Sequence, residues 1–429
     1  MGHLVGKDLY HQVGEKLDGL EFRAPMNDHL YGILKEIFTP VEAEFFCKMP
    51  YSMSTKKRLA RIIKMEEGKL EKTLHDMSSK GLIMDLYVNG ENQYMPSPMI
   101  IGIFEFTMMR TGNDVNYKHL AKLFHNYFED LFRANLNNGE MVSPLRALPY
   151  EQSVNNGPYT EILDYEKAST IVEQSWRFAI GLCSCRHEKL HAGEKKCDIK
   201  LETCSTFDTA ADSFIRSKLA KEISKTEALE NIAHSLENGL VILADNVKNN
   251  VFFTCHCCGC CCNALLGISR FGYPNTVVTS TFLGQIDEEK CDLCGICVEA
   301  CPIAAIKMVE EDGIEKPRVD TDFCLGCGVC SFSCGTQALQ LVKREKRVLH
   351  PENTFERILL QSLEKGTLQN QLFDNQNNIT MKFMSGFVGG FLRLSPVKKA
   401  LMSDLLRSQF LSLMRMGVKL QGKGWLLEM

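Results

Sequence analysis

The feature that most constrains this chain is a pair of cysteine-rich stretches between positions 291 and 334. Each stretch has the spacing C-x2-C-x2-C-x3-C. Two residues between successive cysteines let one loop wrap a [4Fe-4S] cube and offer it three thiolates. The fourth cysteine stands on the next helical turn and points the other way, so it reaches a neighbouring cube. The spacing therefore predicts two [4Fe-4S] clusters that exchange ligands between the stretches.

This exchange defines two predicted ligand sets. The first cluster takes Cys291, Cys294, Cys297 and Cys334, and the second takes Cys324, Cys327, Cys330 and Cys301. The stretches also match outside the cysteines at a constant offset, as Gly295 with Gly328 shows. This match indicates an internal duplication. One departure is Gly335, which stands where the first stretch has Pro302.

On these residues, positions 284–343 resemble a bacterial-type 2[4Fe-4S] dicluster ferredoxin. The resemblance implies a ferredoxin-like domain that moves single electrons at low potential. A pair of four-cysteine zinc sites is the alternative, because zinc also uses C-x2-C pairs. Zinc ribbons do not ordinarily need a third cysteine at the same short spacing, so the cluster interpretation is favoured.

Composition places these cysteines in a reducing compartment. Nineteen cysteines in 429 residues are far above the usual frequency, and no apolar signal segment opens the chain. We therefore expect cytoplasmic, metal-binding thiolates rather than the disulfides of a secreted scaffold. No uninterrupted apolar run approaches the roughly 18 residues of a membrane-spanning helix, so no transmembrane segment is expected. The net charge of -4 neither requires nor excludes a nucleic-acid partner.

A first group of cysteines upstream of the repeat predicts a third cluster. The group consists of Cys183, Cys185, Cys197 and Cys204. Arg186, Lys189, Lys195 and Lys196 lie in the same segment, and such cations would offset the negative charge of a four-thiolate cluster. Zinc is the rival metal, since C-x-C is specific for neither.

A second upstream group places six cysteines within eight residues: Cys255, Cys257, Cys258, Cys260, Cys261 and Cys262. They cannot all face one cube, because adjacent residues diverge in any regular backbone. A sharp loop could present four of them to a fourth cluster, with the ligand subset left open. The other two would then serve another cluster, a structural role or the first upstream group. His256 is expected to donate to a cluster sulfur rather than to bind iron.

Residues 27–98 predict a winged-helix-like domain. Thr39 precedes Pro40 as a helix cap, later helices follow from about Ser54 and Glu66, and a hairpin turns at Asn89-Gly90. The functional interpretation is DNA recognition, supported only by the basic run at 56–64. Acidic residues on the third helix oppose contact with phosphates, so DNA is not the expected partner.

The remaining segments complete an α+β chain. Residues 99–165 are interpreted as a helical connection, 166–283 as an α/β cysteine-rich domain, 284–343 as the dicluster domain, and 344–429 as a helical extension. Within the extension, 381–423 holds eight Lys or Arg against one acid, Asp404. Its amphipathic periodicity fits peripheral contact with an anionic membrane surface, an acidic partner, or a helix packed on the protein's own body.

Residues 27–343 together resemble an uncharacterised family of multi-cluster iron–sulfur proteins from strict anaerobes, which implies redox work without an assigned substrate. No dinucleotide fingerprint or nucleophile elbow is present. The first hypothesis is an electron-transfer component of an anaerobic oxidoreductase system, rather than a stand-alone enzyme. It would carry single electrons between the ferredoxin-type clusters, one or two further clusters and a redox partner protein. The alternatives are an iron–sulfur reductase with a substrate-binding cluster and a redox-sensing winged-helix regulator.

Overall fold

A computed structural model describes residues 8–428 apart from 113–114, 135–141, 155–161, 273–275, 346–347, 349 and 421. The mixture of helices and strands confirms the α+β class. The helices are α1 Leu9–Asp18, α2 Asp28–Ile37, α3 Pro40–Lys48, α4 Lys56–Ile63, α5 Glu67–Ser79, α6 Phe104–Met109, α7 Tyr117–Ala134, α8 Ala168–Gln174, α9 Ser184–Ala192, α10 Asp208–Arg216, α11 Lys225–Glu237, α12 Asn263–Phe271, α13 Ile296–Ala300, α14 Val329–Phe332, α15 Thr354–Lys365, α16 Leu368–Leu372, α17 Ile379–Leu392, α18 Ser395–Met402 and α19 Asp404–Leu420.

The strands form four sheets. They are β1 Ser54–Thr55, β2 Ile83–Val88, β3 Glu91–Pro96, β4 Leu145–Ala147, β5 Phe178–Leu182, β6 Glu202–Phe207, β7 Ala220–Glu222, β8 Val241–Asp245, β9 Phe253–Cys257, β10 Val277–Val278, β11 Phe282–Ile286, β12 Ile306–Glu311, β13 Ile314–Val319 and β14 Leu339–Lys343. The largest sheet has the order β10-β4-β8-β9-β6-β5-β7, and β1-β3-β2 form a separate three-stranded sheet.

The chain divides into two compact units. The first contains the described residues up to Leu131 together with 212–220 and the residues from Glu352 on; the second contains 132–211 and 221–351. The cysteine-rich segment and the ferredoxin repeat therefore lie in the same unit, apart from 212–220. The five-segment division expected from the sequence stays a prediction, and parts of its 99–165 connection (113–114, 135–141 and 155–161) lie outside the described residues.

Local signals fix the N-terminal elements of the first unit. The Thr39 hydroxyl accepts from the Glu42 amide at 3.3 Å while the Glu42 carboxylate accepts from the Thr39 amide at 2.9 Å, a capping box that starts α3. Asn89 and Gly90 both have positive φ, 52° and 82°, and join β2 to β3. Helices α3 to α5 followed by this hairpin are the elements that the sequence indicates. The winged-helix assignment itself stays a prediction.

Two of the basic side chains at 56–64 bind acidic residues of the same unit. Lys56 lies 3.1 Å from a carboxylate oxygen of Glu71 and 3.5 Å from one of Glu67. Arg58 donates to both carboxylate oxygens of Asp374, at 2.8 and 2.7 Å. Their positive charge is thus partly neutralised by the protein's own carboxylates.

The ferredoxin repeat shows its duplication in the backbone. Strands β11 and β14 pair antiparallel, as do β12 and β13. The amide of Asp287 donates to the carbonyl of Ala338, and the amide of Asp320 donates to the carbonyl of Ala305, both at 2.8 Å. Each copy therefore closes on the other through the same bond, which holds the two cysteine loops side by side.

Helices α15 to α19 complete the first unit. Leu359, Leu360 and Leu363 of α15 are buried, so this helix contributes to the core. Among the described helices, none is both long and apolar enough to cross a membrane.

One glycine in the second cysteine loop is required by close packing. Gly326 has φ +66°, and a Cβ there would lie 2.1 Å from the carbonyl oxygen of Phe282. Its counterpart in the first copy is Leu293, whose φ is 62° and whose side chain is 38% exposed. The left-handed turn therefore accommodates a side chain at Leu293, which faces solvent, but not at Gly326, which packs against Phe282.

We expect Gly326→Ala to destabilise the protein more than Gly295→Ala. Both glycines have positive φ, but a Cβ at Gly295 would meet nothing within 4 Å. Left-handed strain costs about 1 kcal/mol at either site, and the clash with Phe282 adds about 1–3 kcal/mol. Anaerobic thermal unfolding, followed by cluster absorbance, measures the difference. Equal melting temperatures for the two variants would contradict this packing.

Candidate metal centres

The predicted second ligand set surrounds one cavity. Cys301, Cys324, Cys327 and Cys330 all line it, although Cys301 comes from the first copy of the repeat. Apolar side chains, including Ile303, complete the wall. Cys324, Cys327 and Cys330 are buried, and burial raises the pKa of Cys327 to about 12. A site with four converging thiols and an apolar wall fits a [4Fe-4S] cube, which takes four thiolates and is shielded from water.

The predicted first ligand set also comes together, nearer the surface. Burial, followed by the charges of Cys291, Cys334 and Cys294, raises the pKa of Cys297. Cys294 is exposed, whereas Cys297 is buried. The first set therefore faces solvent on one side while the second set is enclosed.

Backbone amides point at thiols of the repeat. The amide of Gly284 donates to the sulfur of Cys324 at 3.5 Å, and the amide of Ala305 donates to the sulfur of Cys301 at 3.2 Å. A hydrogen bond donated to sulfur favours the thiolate over the thiol. The same donors would raise the reduction potential of a cluster held there.

Six upstream cysteines, three on strands β6 and β9 and three at the starts of α9 and α12, form a second group of neighbouring thiols, which we term the six-thiol cage. Its members are Cys183, Cys185, Cys204, Cys255, Cys257 and Cys262. Alternation along β9 puts Cys255 and Cys257 on one face, and the register of Ser205 with Thr254 brings Cys204 beside Cys255. The cage offers more thiols than the four that one cube needs.

Two helix N-termini meet the cage. Cys183 and Cys262 occupy the N-cap positions of α9 and α12. Hydrogen bonds from Cys185 and Cys257, then from the amides of Leu265 and Ala264, hold the pKa of Cys262 well below its usual value despite burial. The partial positive charge of a helix N-terminus favours a thiolate in the same way. Cys255 also has a lowered pKa, whereas hydrogen bonds to neighbouring thiols and burial raise the pKa values of the other four cage thiols.

Arg186 supplies a buried positive charge to this region. It is 1% exposed, and its guanidinium donates to the Thr203 hydroxyl at 2.5 Å and to the carbonyl of His256. Burial lowers its pKa, but the charges of Cys183 and Cys258 outweigh that effect and raise it. Thiolates at Cys183 and Cys258 would offset the cost of burying this permanently charged guanidinium.

The other four upstream cysteines form a compact cluster, which we term the four-thiol site. Its members are Cys197, Cys258, Cys260 and Cys261. Their sulfurs all lie within 4.8 Å of one another, and in the described chain they are the one group of three or more cysteine, histidine or acidic ligands with this compactness. A hydrogen bond from Cys261 and the charge of Arg186 lower the pKa of Cys258 to about 5 against the effect of burial.

This partition differs from the one that the sequence indicates. The sequence groups Cys197 with Cys183, Cys185 and Cys204, but in the structure the sulfur of Cys197 lies 3.7 Å from the sulfur of Cys258. The reason is that Cys204 belongs to β6, whose antiparallel neighbours β5 and β9 carry it toward the cage. Cys197 precedes β6 in the loop after α9, so nearness in sequence does not make it a neighbour of Cys204.

The side chain of His256 forms its hydrogen bonds with hydroxyl groups rather than with a thiol. Its ring nitrogens contact the hydroxyls of Ser235 at 2.6 Å, Thr254 at 3.3 Å and Ser205 at 3.5 Å. Burial lowers its pKa to about 3, so the ring is neutral. The expected bond from His256 to a cluster sulfur is therefore not made by its side chain; the residue instead anchors β9 from the opposite face of the sheet.

A buried polar network beside the cage was missed by the sequence analysis. Lys189 donates to Glu188 at 2.8 Å and to Asn263 at 3.0 Å, and Asn263 donates to Glu188 at 3.1 Å. The sequence predicts that Lys189 offsets the negative charge of a cluster, but in the structure Glu188 neutralises much of the positive charge of Lys189. The acid follows Arg186 by two residues, and nothing in its spacing distinguishes it from a surface residue.

The repeat contacts the loop that carries the four-thiol site. A Cβ on Gly259 would lie 2.5 Å from the carbonyl oxygen of Pro302, the residue after Cys301. Tyr150 makes a second link: its amide donates to the carbonyl of Cys327 at 2.9 Å and its hydroxyl donates to the carbonyl of Leu240 at 2.7 Å. The hydrogen bonds of Tyr150 and the packing of Gly259 on Pro302 thus connect the buried cluster position to the cysteine-rich sheet.

Comparison with known proteins agrees with the repeat. Residues 290–338 match the family model described as the 4Fe-4S dicluster domain. This match confirms the ferredoxin-like segment and its [4Fe-4S] chemistry. A search of the curated proteins found no match, and neither did a search of the solved structures. The chain thus contains an iron–sulfur domain with an electron-transfer role.

We expect Arg186→Gln to empty the cage while sparing the repeat. Removing one partner of a buried charge pair costs about 3–5 kcal/mol, because the remaining charge is left uncompensated. Iron should fall by about one cube, four atoms, and the iron of the repeat should remain. Iron and sulfide analysis of the anaerobically purified variant measures this.

The matched control is Arg177→Gln. Arg177 lies 3.1 Å from Glu222 in a partly exposed ion pair at the edge of the same sheet, so its loss should leave the iron content unchanged. Retention of full iron in Arg186→Gln, with an unchanged potential, would show that the guanidinium is not needed to hold the centre.

Proposed function

We propose that the protein carries low-potential single electrons between a partner protein and a further iron–sulfur centre held in the six-thiol cage, as a component of an anaerobic oxidoreductase system. Iron–sulfur clusters supply one-electron chemistry without proton-handling side chains. The protein's own residues hold them, exclude water and provide contacts between them. The proposal includes a cytoplasmic location.

The observation that carries this proposal is the gradient of exposure along the repeat. Cys294 of the first ligand set is exposed, whereas the thiols of Cys324, Cys327 and Cys330 in the second set are buried. Leu293 and Ile296 beside the exposed thiol are 38% and 48% exposed. An apolar rim around a surface cluster is suited to brief docking of a redox partner, since weak electron-transfer complexes bury little area.

The inner side of the repeat supports transfer to the cage. The carbonyl of Pro302 packs against Gly259, and Tyr150 connects Cys327 to Leu240 at the start of β8. Strand β8 pairs with β9, which carries Cys255 and Cys257. Covalent bonds and short hydrogen bonds therefore lead from the enclosed cluster position to the cage.

The cage itself favours a carrier over a reductase. Cys183, Cys257 and Cys262 are buried and the other three cage thiols are half-buried, so a substrate's access to iron there would be restricted. Six thiols also exceed the needs of one cube, which disfavours an iron left without a cysteine ligand. DNA remains outside the proposal, because Lys56 and Arg58 are engaged by carboxylates.

The test is cluster analysis of the anaerobically purified full chain. We expect about twelve irons and about twelve sulfides per chain, which correspond to three cubes. After reduction, the electron paramagnetic resonance signals of neighbouring clusters should broaden one another. Because one thiol of six can be spared, the test replaces Cys255, Cys257 and Cys262 together by serine, which leaves three thiols in the cage. This triple variant should keep about eight irons and lose the third centre and the broadening that it causes. Cys47→Ser is the control, since Cys47 is a half-buried thiol of the first unit. A colourless, sulfide-free protein would refute the proposal.

A further inference from the structure

The four-thiol site has the dimensions of a single-ion centre. The sulfur of Cys197 lies 3.7 Å from that of Cys258 and 3.8 Å from that of Cys261, and the sulfurs of Cys260 and Cys261 are 3.5 Å apart. Four sulfurs placed tetrahedrally at about 2.3 Å from one Zn²⁺ are about 3.8 Å apart. These three of the six sulfur–sulfur distances match the edges of a zinc tetrahedron, and the other three are no longer than 4.8 Å.

The ferredoxin repeat provides an internal standard. Its thiolates bind four different irons of a cube and must stand farther apart than ligands of one ion. The eight cysteines of the repeat are all among the described residues, yet neither of their ligand sets has all its sulfurs within 4.8 Å, as the four-thiol site does. The same chain thus holds two kinds of thiol spacing, a wide one for cubes and a narrow one for a single ion.

We propose that Cys197, Cys258, Cys260 and Cys261 bind one tetrahedral Zn²⁺ rather than a fourth cube. All four positions come from the protein, which is the arrangement of a structural and not a catalytic zinc site. Arg186 lies near Cys258 and offsets part of the net charge of a four-thiolate zinc site. The ion ties the loop of Cys197 to the turn at 258–261, whose Gly259 packs on Pro302. Zinc has no redox change, so this inference is independent of the proposed electron path.

Metal analysis and X-ray absorption of the anaerobically purified, full-length wild type provide the test. We expect one zinc per chain with four sulfur neighbours at about 2.3 Å. Because the measurement uses the wild type, it does not depend on a variant that folds. Absence of zinc, or about sixteen irons per chain, would overturn the zinc site and leave the electron-transfer proposal standing.

A variant adds a second readout. Cys260→Ser should lose one equivalent of zinc and keep its iron, while Cys47→Ser should keep both. Loss of about four irons from Cys260→Ser without loss of zinc would show a cube at this position and refute the inference.

An independent observation concerns α17 in the first unit. Phe383, Phe387 and Phe391 recur every four residues on one face and are 73%, 72% and 58% exposed. The opposite face is packed, since Ser385 and Gly389 are buried. A row of three open aromatic rings is uncommon on a protein surface and marks a contact site.

We infer that this aromatic row lies on an anionic lipid bilayer. Residues 381–423 carry eight Lys or Arg and the single acid Asp404. Arg407 and Arg415 pair with Asp404 and Glu356, and the segment that contains the row keeps a net positive charge, which complements acidic headgroups. Aromatic side chains on one face of a helix with basic neighbours are the features of helices that lie in the membrane interface. The sequence also allowed a helix packed on the protein's own body, and that packing accounts only for the face of Ser385 and Gly389.

Vesicle sedimentation tests this inference. We expect the full chain to sediment with vesicles containing about 30% phosphatidylglycerol, to be released by high salt, and to leave neutral phosphatidylcholine vesicles unbound. Phe387→Asp should weaken binding at least tenfold, whereas Tyr87→Asp, at a 52% exposed aromatic residue in the same unit, should not. No binding at low salt, or a dimer that Phe387→Asp dissociates, would refute the membrane contact.

Discussion

Concentrated negative charge on sulfur is the constraint on which the second unit depends. Eighteen of the nineteen cysteines lie in three groups, and burying a thiolate without compensation is costly. Each group meets this need differently. Amides of Gly284 and Ala305 face the repeat, helix N-termini face the cage, and Arg186 lies near thiols of both upstream groups.

The guanidinium of Arg186 interacts electrostatically with thiols of both upstream groups. Arg186 interacts with Cys183 and Cys257 of the cage and with Cys258 of the four-thiol site. A change of charge in one group therefore alters the field felt by the other, even if only one of them is redox active. The metal bound by the four-thiol site would therefore influence the reduction potential of a cluster in the cage, because Cys257 and Cys258 are adjacent.

The sequence predicted the features that are determined by residues close together in the chain. Ligand sets could be predicted for the repeat because three cysteines of each set lie in one loop and the fourth stands on the next helical turn of the other stretch. Thr39 and Asn89-Gly90 likewise act on adjacent residues. The upstream partition could not be predicted, since it depends on β6 pairing with both β5 and β9. Helical periodicity in α17 located an apolar row but could not show that Phe383 and Phe387 stay uncovered.

Alternation along β9 has a consequence for how the protein matures. Cys255 and Cys257 face the cage while the neutral ring of His256 points away to Ser235. A slip of one residue in strand pairing would reverse these faces, presenting imidazole and withdrawing both sulfurs. A centre bound in the cage would therefore stabilise the correct registry of the central sheet over the slipped one, so that cofactor binding and strand pairing reinforce each other.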